Sequence, residues 1–488
     1  MAIEKEEVDV AVIGAGLSGI DAGYRLKEMT NLSYTIYEQK PVLGGTWRLF
    51  TYPGIRCDSD MYTLGFPFRP WKSNTSIADA DDIAKYIEDT AKEFGIDKKI
   101  QYNHKVIQAS WSTKEKRWTL KMEITDGNGN VVSEKLVSAN FVFACSGYYS
   151  YDEGYYPDLP GAKDFQGEIL KPQFWPEDHD YTGKKVVIIG SGATAVTLLP
   201  NMIKGGAKHA TMLQRSPGYY MLLARVDPVA RVLGWFLPRA FVSWYMRVRN
   251  SIRFTVFFVL CRMFPSAARR IIRFLTARQL PSRIPLDPHF QPSYNPWDQR
   301  VCIVPDGDFF ASLREGTGDI ATGHIDTFTK SGIRLKDGTV LDADLVVQAT
   351  GLKVQLFGGC DLIVDGRKVD TGKKTIYRGQ MLDGVPNLAL SFGYTNASWT
   401  LGSDLCSQYV GNLLNHMQLN GKKVATPRLP KSKDKEAPTI NLNAGYIQRA
   451  QGIFPKSTGE WPWKMKDNYI KDYFRTTFGD QLTDIEFA

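Results

Sequence analysis

This 488-residue chain has little of what would let cross-links, a bound metal or a membrane span define it. Its six cysteines (Cys57, Cys145, Cys261, Cys302, Cys360 and Cys406) are far apart, and no two form a CxxC or similar short pair. That argues against a disulfide framework, a zinc site and a redox-active dithiol. The longest nearly apolar run, Phe254–Cys261, falls far short of the roughly 20 residues a bilayer-crossing helix needs. The first residues, Met-Ala-Ile-Glu-Lys-Glu-Glu, lack the apolar region of a secretory signal, so a cytoplasmic location is expected. Neither a GxSxG elbow nor an HExxH helix occurs, which leaves a hydrolase reading without support. With 43% apolar and 23% charged residues the composition is that of a globular protein with room for two or three domains.

What is present is a pair of glycine-rich fingerprints 176 positions apart. Val10-Ala-Val-Ile13 precedes Gly14-Ala-Gly16-Leu-Ser-Gly19, and Val186-Val-Ile-Ile189 precedes Gly190-Ser191-Gly192-Ala193-Thr194-Ala195. Each reads as a buried parallel strand, a tight turn and a helix start. The first glycine allows the turn. The second lets backbone N–H groups approach a pyrophosphate, and the third position must be small so that helix and strand can pack. Two copies, each in this context, predict two bound dinucleotides. The alternative is one working site and one decayed copy, but both copies keep every required small residue.

The strand after each fingerprint separates the two cofactors. Glu38, 19 residues past Gly19, can accept hydrogen bonds from a ribose 2′-OH and would repel a 2′-phosphate. The corresponding position in the second unit is Gln214, followed by Arg215 and Ser216. A guanidinium there suits a 2′-phosphate. The first site is therefore assigned to FAD and the second to NADPH, with Val106 added to the candidate cofactor-binding residues.

Two further strand-to-glycine segments, Ala139–Gly147 and Ala343–Gly351, are similar to each other and are read as closing the two units. The expected fold is α/β, with two Rossmann-like dinucleotide-binding domains. The FAD domain is split over 1–150 and 336–488, and the NADPH domain (151–335) is inserted in it and itself carries a helical insert at 222–290. Within that insert, Arg225 to Arg283 holds twelve arginines, no Lys or Glu, and one acid, Asp227, among many aromatic and aliphatic residues. The favoured reading is a helical insert with its apolar face in the core and its arginines solvated. The minority reading is peripheral contact with an anionic membrane. Nucleic acid is not expected, because no binding module accompanies the charge.

Three segments carry chemistry. Gly44-Gly45-Thr46-Trp47-Arg-Leu-Phe-Thr-Tyr52-Pro-Gly54-Ile-Arg56-Cys57-Asp58 satisfies every fixed position of a pattern [Ala/Gly]-Gly-x-Trp-x4-[Phe/Tyr]-Pro-[Gly/Met]-x3-Asp. Phe165-Gln-Gly167-Glu-Ile-Leu-Lys171-Pro-Gln-Phe-Trp175-Pro176 matches a second pattern except that Lys171 stands where it has His. Tyr294-Asn-Pro-Trp-Asp-Gln299-Arg300 is the third. In these segments the chain resembles the type I Baeyer–Villiger monooxygenases. With Gly393–Leu401 added, it is most similar to the bacterial ethionamide-activating monooxygenase group. The resemblance runs from about residue 8 to about residue 473 and is weakest in the helical insert.

The resemblance implies that Asp58 and Arg300 are catalytic, and that Gly45, Thr46, Trp47 and Asp58 adjoin FAD. It implies an NADPH- and O₂-dependent conversion of ketones to esters or lactones through a C4a-peroxyflavin, with sulfide oxidation as a side activity. Arg300 would stabilise anionic oxygen, and Asp58 would hold Arg300 in place. Lys171 loses the neutral imidazole form of the family's histidine, which bears on how the domains move and how well turnover is coupled. Gln299 replaces a family lysine that helps bind the 2′-phosphate, so more of that task falls to Arg215. Two competing readings are a flavin-containing N- or S-oxygenase, which needs no Asp/Arg pair, and a non-catalytic flavoprotein docked to a membrane.

Overall fold

Each fingerprint strand is buried on both faces, and its alternate residues enter different cores. The computed structural model describes residues 4–433, 436–437, 439 and 445–488. In strand Glu4–Ile13, Val10 and Val12 pack into one cluster with Ile20 and Leu26 of helix Leu17–Met29 and with Tyr409 and Leu413 of helix Trp399–Leu419. Ala11 and Ile13 point the other way, toward Val106, Trp118 and Leu120. The second fingerprint strand, Lys185–Ile189, repeats this. Val186 and Ile188 meet Val196, Leu199 and Phe309, while Val187 and Ile189 meet Phe328, Ile333 and Leu335. Side chains alternate across a strand, so a run of four apolar residues is what a strand covered on both faces needs.

These strands organise two sheets. The first has nine strands. Its parallel part sets Glu4–Ile13 between Tyr34–Tyr37 and Val131–Ala144, with Leu388–Leu390 on the far side of the last. An antiparallel meander, His104–Ser112 and Arg117–Thr125, continues from Val131–Ala144. The second sheet has five strands, all parallel, in the order Gly318–Thr322, His209–Gln214, Lys185–Ile189, Leu345–Gln348, Glu168–Leu170. The expected α/β fold with two Rossmann-like sheets is borne out. The boundary expected at 335/336 needs correction, because Leu345–Gln348 is hydrogen-bonded inside the second sheet. We place the crossing back to the first unit after it, and the residue ranges of the two domains stand as our proposal on that basis.

The insert is helical, with helices Pro228–Leu233, Arg239–Met263 and Pro265–Ala277. The expectation that its apolar face lies in the core holds for one side only. Val242 and Met246 of the long insert helix pack with Tyr62 and Ala230, and Cys261 packs with Ile272 and Trp297. Trp235, Phe236 and Trp244 are 70%, 78% and 59% exposed. No single helix among the described residues is long and apolar enough to cross a membrane.

Candidate active site

Three parallel strands of the first sheet end side by side, with Ile13 in register with both Tyr37 and Ala144. The residues that follow, Gly14, Glu38 and Cys145, therefore meet at one carboxyl edge, where α/β sheets bind ligands. Gly14 has φ +98°, and a Cβ there would stand 2.9 Å from the Cys145 carbonyl oxygen. A Cβ on Gly19 would lie 1.9 Å from the Gly14 carbonyl oxygen, so the helix can approach the turn only with glycine at that position. The buried Glu38 carboxylate accepts the Ala15 N–H at 2.7 Å and the Lys40 N–H at 2.9 Å, which locks it against the turn. Burial pushes its pKa up, and the two backbone donors oppose that.

Gly14, Gly16, Glu38, Gly45, Thr46, Trp47, Asp58 and Arg300 line a single cleft. Gly16 and Gly45 face each other across it; a Cβ on Gly45 would sit 3.1 Å from Gly16 Cα. An aromatic wall of Tyr148, Phe392 and Trp399 closes one side. Tyr148 stacks on Trp399 at 5.2 Å, and Trp399 Nε1 donates to Ser18 Oγ at 2.9 Å. Val106 lies in a narrow recess that also includes Gly14, Glu38 and Ser146. Among the described residues Ser146 Oγ is buried with no hydrogen-bond partner, while it also borders the cleft. A groove with glycine backbone at one end, a fixed carboxylate, an unsatisfied hydroxyl and a flat aromatic wall fits a flavin dinucleotide.

Asp58 and Arg300 meet in the wall of that cleft. Arg300 Nη1 is 3.5 Å from Asp58 Oδ2, and the two side chains are 37% and 32% exposed. Arg300 arrives from the second unit, in the loop just before strand Cys302–Pro305. Its loop is held by the insert. Trp297, at φ +71°, is buried against Phe258 at a ring distance of 5.5 Å, and Arg262 donates to Asp298 at 2.7 Å. Tyr219 donates from its hydroxyl to the Tyr294 carbonyl at 2.6 Å.

The segment from Gly45 to Asp58 is also the seam between the two units. Its ends line the cleft, while its middle contacts the second unit. Tyr52 packs against the core of the second unit, and burial pushes its pKa up to about 12, opposed in part by Thr194 of the second fingerprint. Gly54, at φ +74°, leaves no room for a Cβ beside Asn201. Arg56 makes a two-pronged pair with Asp308, at 2.5 and 3.2 Å, and these side chains are only 6% and 12% exposed. Neither Arg56 nor Asp308 stood out in the sequence, since a pair 252 residues apart leaves no local pattern.

The second fingerprint ends in the same way but more openly. A Cβ on Gly190 would come 2.3 Å from the Ala349 carbonyl oxygen, whereas Gly192 faces free space. Ser191 Oγ donates to the Ser216 carbonyl at 2.9 Å, which ties the turn to the residue after Arg215. Ala193 and Thr194 begin helix Ala193–Lys204, and Arg215 is exposed at the end of strand His209–Gln214. Gln214 turns inward instead, donating to the His289 carbonyl at 2.7 Å and to Thr322 Oγ1 at 2.9 Å. Arg449, missed in the sequence, stands over the Tyr155 ring at 3.5 Å. Its pKa is lowered first by burial and also by the like charge of Arg215. Lys171 places its ammonium 4.6 Å from the centre of the Tyr156 ring, a cation–π contact in the segment that crosses between the units.

Residues 7–357 match the family model described as flavin-binding monooxygenase-like. The chain belongs to that family. This flavin-binding monooxygenase is 47% identical over 468 residues to the FAD-containing monooxygenase EthA of Mycolicibacterium smegmatis, covering 96% of this chain and 94% of the relative. It is 43% identical over 470 residues to the probable FAD-binding monooxygenase AlmA of an Acinetobacter species, covering 96% and 93%. Among solved structures it is similar in fold to a steroid monooxygenase bound to NADP (TM-score 0.78, 20% identity, 99% of both chains). It is likewise similar to an open form of cyclohexanone monooxygenase (TM-score 0.74, 18% identity, 99% and 100%). The expected membership of a flavin-binding monooxygenase family is thereby borne out, and the expected fold is shared with these solved monooxygenases.

Proposed function

We propose that this flavin-binding monooxygenase inserts an oxygen atom from O₂ beside a ketone carbonyl to give an ester or lactone, and oxidises sulfides as a side activity. The observation that carries this reading is the Asp58–Arg300 pair in the wall of the cleft that holds the first fingerprint. FAD, when bound, supplies the redox chemistry with O₂ and NADPH.

The chain's residues bind, orient and balance charge. Gly14, Gly16 and Gly45 let backbone come close to a pyrophosphate, and Glu38 accepts hydrogen bonds from ribose hydroxyls. Gly190, Ser191, Gly192, Ala193 and Thr194 do the same for NADPH, with Arg215, Ser216 and Arg449 around the 2′-phosphate. Arg300 offers a fixed positive charge to oxygen atoms that become anionic during attack on a carbonyl and migration of the carbon. In a site shielded from water such a charge is worth several times what it is in bulk. Asp58 is the positioning residue for that guanidinium. A second cavity, of about 430 Å³, includes Phe258 and Arg262 of the long insert helix and shares Phe392 and Thr395 with the cleft. We assign it to the organic substrate.

The nearest alternative, N- or S-oxygenation alone, needs a protonated electrophilic oxidant and gives the Asp58–Arg300 pair no task. Aliphatic ketones of graded size, offered with NADPH in air beside a matched set of sulfides, separate the two. Esters from at least part of the ketone series are expected. Sulfoxides with no ester from any ketone would favour the alternative.

A further inference from the structure

The long insert helix has two apolar faces, and the protein covers one. Val242, Met246 and Asn250 turn inward; Asn250 Nδ2 donates to the buried Asp60 at 2.9 Å. On the opposite side Phe241, Trp244, Val248, Ile252, Val256 and Met263 follow one another at helical spacing within a single arc. All of them are between 41% and 63% exposed. The uncovered strip continues at both ends, with Trp235 and Phe236 before the helix and Phe264 after it. The next helix also exposes apolar residues, Ile271, Phe274 and Leu275, each more than half exposed. Isolated exposed apolar residues need no explanation, but a run of them along two consecutive helices does.

The charge around the strip selects the occupant. Arg225 to Arg283 carries a net +11 in a chain whose total is +8. Many of these arginines have structural tasks. Arg249 pairs with Asp227, Arg262 with Asp298 and Arg273 with Asp287, and Arg247 donates to the carbonyls of Tyr62 and Gly65. Arg231, Arg270 and Arg278 are exposed and make no ion pair among the described residues. Arg278 lies over the exposed Phe274 ring at 5.0 Å. Tryptophan and phenylalanine edged by arginine is the composition of a surface that lies in a headgroup layer. Neither helix alone is long and apolar enough to cross a membrane, and the pair is bent by 115°, a geometry suited to lying on a bilayer rather than crossing it. A second copy is a poorer occupant, because a two-fold contact would oppose the same arginines.

We propose that the outer face of the insert docks on the surface of an anionic phospholipid bilayer, with its aromatic strip among the headgroups and Arg231, Arg270 and Arg278 toward the lipid phosphates. The site described above is independent of this contact, so the two readings can fail separately.

The test is flotation of the FAD-loaded, full-length protein with vesicles of equal phosphatidylcholine and phosphatidylglycerol, and with phosphatidylcholine alone, at low and at physiological salt. Flotation with the anionic vesicles is expected, and it should weaken with salt and be much lower on the neutral ones. The triple variant Arg231→Gln/Arg270→Gln/Arg278→Gln should lower partitioning by about 10²-fold, from roughly a factor of five for each near-surface charge. Trp235→Ser/Trp244→Ser should lower it on both vesicle types. Unchanged flavin content and NADPH oxidation in lipid-free buffer show that these variants are folded. No flotation at low salt, or flotation indifferent to the three arginines, overturns the proposal. So does concentration-dependent self-association in lipid-free buffer that Trp235→Ser/Trp244→Ser abolishes, since that result assigns the face to a second copy.

Discussion

Replacing Arg300 by alanine separates what the Asp58–Arg300 pair does for stability from what it does for chemistry. The two groups are 3.5 Å apart and each about one-third exposed. A pair so placed contributes about 0–1 kcal/mol to folding. The loop that presents Arg300 is held independently by Trp297 against Phe258 and by Asp298 with Arg262. Arg300→Ala should therefore keep its FAD and unfold within a few degrees of the parent protein. The loss in chemistry should be far larger. Removing one fixed donor from a developing oxyanion costs about 10²–10³-fold in kcat, or roughly 3–4 kcal/mol, and a full guanidinium charge sets at least that scale. Asp58→Asn should lose less, because the guanidinium remains and only its positioning suffers. The assay is ester formation under saturating NADPH and ketone, read beside flavin absorbance and the thermal midpoint. An Arg300→Ala protein that retains both flavin and ester turnover would refute the assignment, and one that loses flavin would show that the stability reasoning was wrong.

Three further outcomes follow from the geometry. Arg215→Ala should raise the KM for NADPH by about 10- to 100-fold, the worth of charge-assisted hydrogen bonds to phosphate, with NADH little affected. Arg449→Ala should act in the same direction more weakly, and equal effects on both nucleotides would remove these residues from the 2′-phosphate site. Arg56→Leu or Asp308→Leu alone should cost about 3–5 kcal/mol by leaving a buried charge unpaired, while the double replacement recovers much of that; additive losses in thermal unfolding would contradict a coupled pair. Asp21 is fully buried, and burial first, then the nearby Asp404, holds its carboxyl well above the usual range. The folded protein thus keeps a proton that the unfolded chain releases above about pH 4, so this group's contribution to stability falls as pH rises through the raised value. Asp21→Asn should therefore stabilise more near pH 8 than near pH 5, and an equal shift at both would count against the raised value.

The parts of this architecture that were legible in the sequence are those set by local sterics. Gly14, Gly19 and Gly190 must lack a Cβ because a carbonyl lies within 3 Å of where it would be, and that demand is written in residues a few positions apart. The four-residue apolar runs announced strands covered on both sides. Glu38 and Arg215 each come directly after the next strand of their unit, Tyr34–Tyr37 and His209–Gln214. What the sequence did not show depends on long-range closure. Arg56 and Asp308 become partners only when the two units pack, and Arg449 comes from the far end of the chain to stand over Tyr155, where it feels the charge of Arg215. The strand Leu345–Gln348 lies in the segment read as closing the second unit, and its hydrogen bonds to Lys185–Ile189 move the boundary drawn at 335/336 past it. The long insert helix gave a misleading signal for a related reason. Its composition announces apolar surface, but two opposite apolar faces look the same in sequence whether one or both are covered.

The seam gives the fold a functional logic. One segment, Gly45 to Asp58, lines the flavin-type cleft at both ends and grips the second unit through Tyr52, Gly54 and Arg56 in its middle. Arg300 completes the cleft from the second unit on a loop packed against the insert. The cleft is therefore assembled from both units. The most direct test of the proposed reaction is conversion of an aliphatic ketone by the purified enzyme with NADPH under ¹⁸O₂. The account predicts an ester carrying one labelled oxygen, in an amount matched to the NADPH consumed and lost in Arg300→Ala. NADPH consumption that yields only hydrogen peroxide, or an oxygenated product that is not an ester, would contradict it.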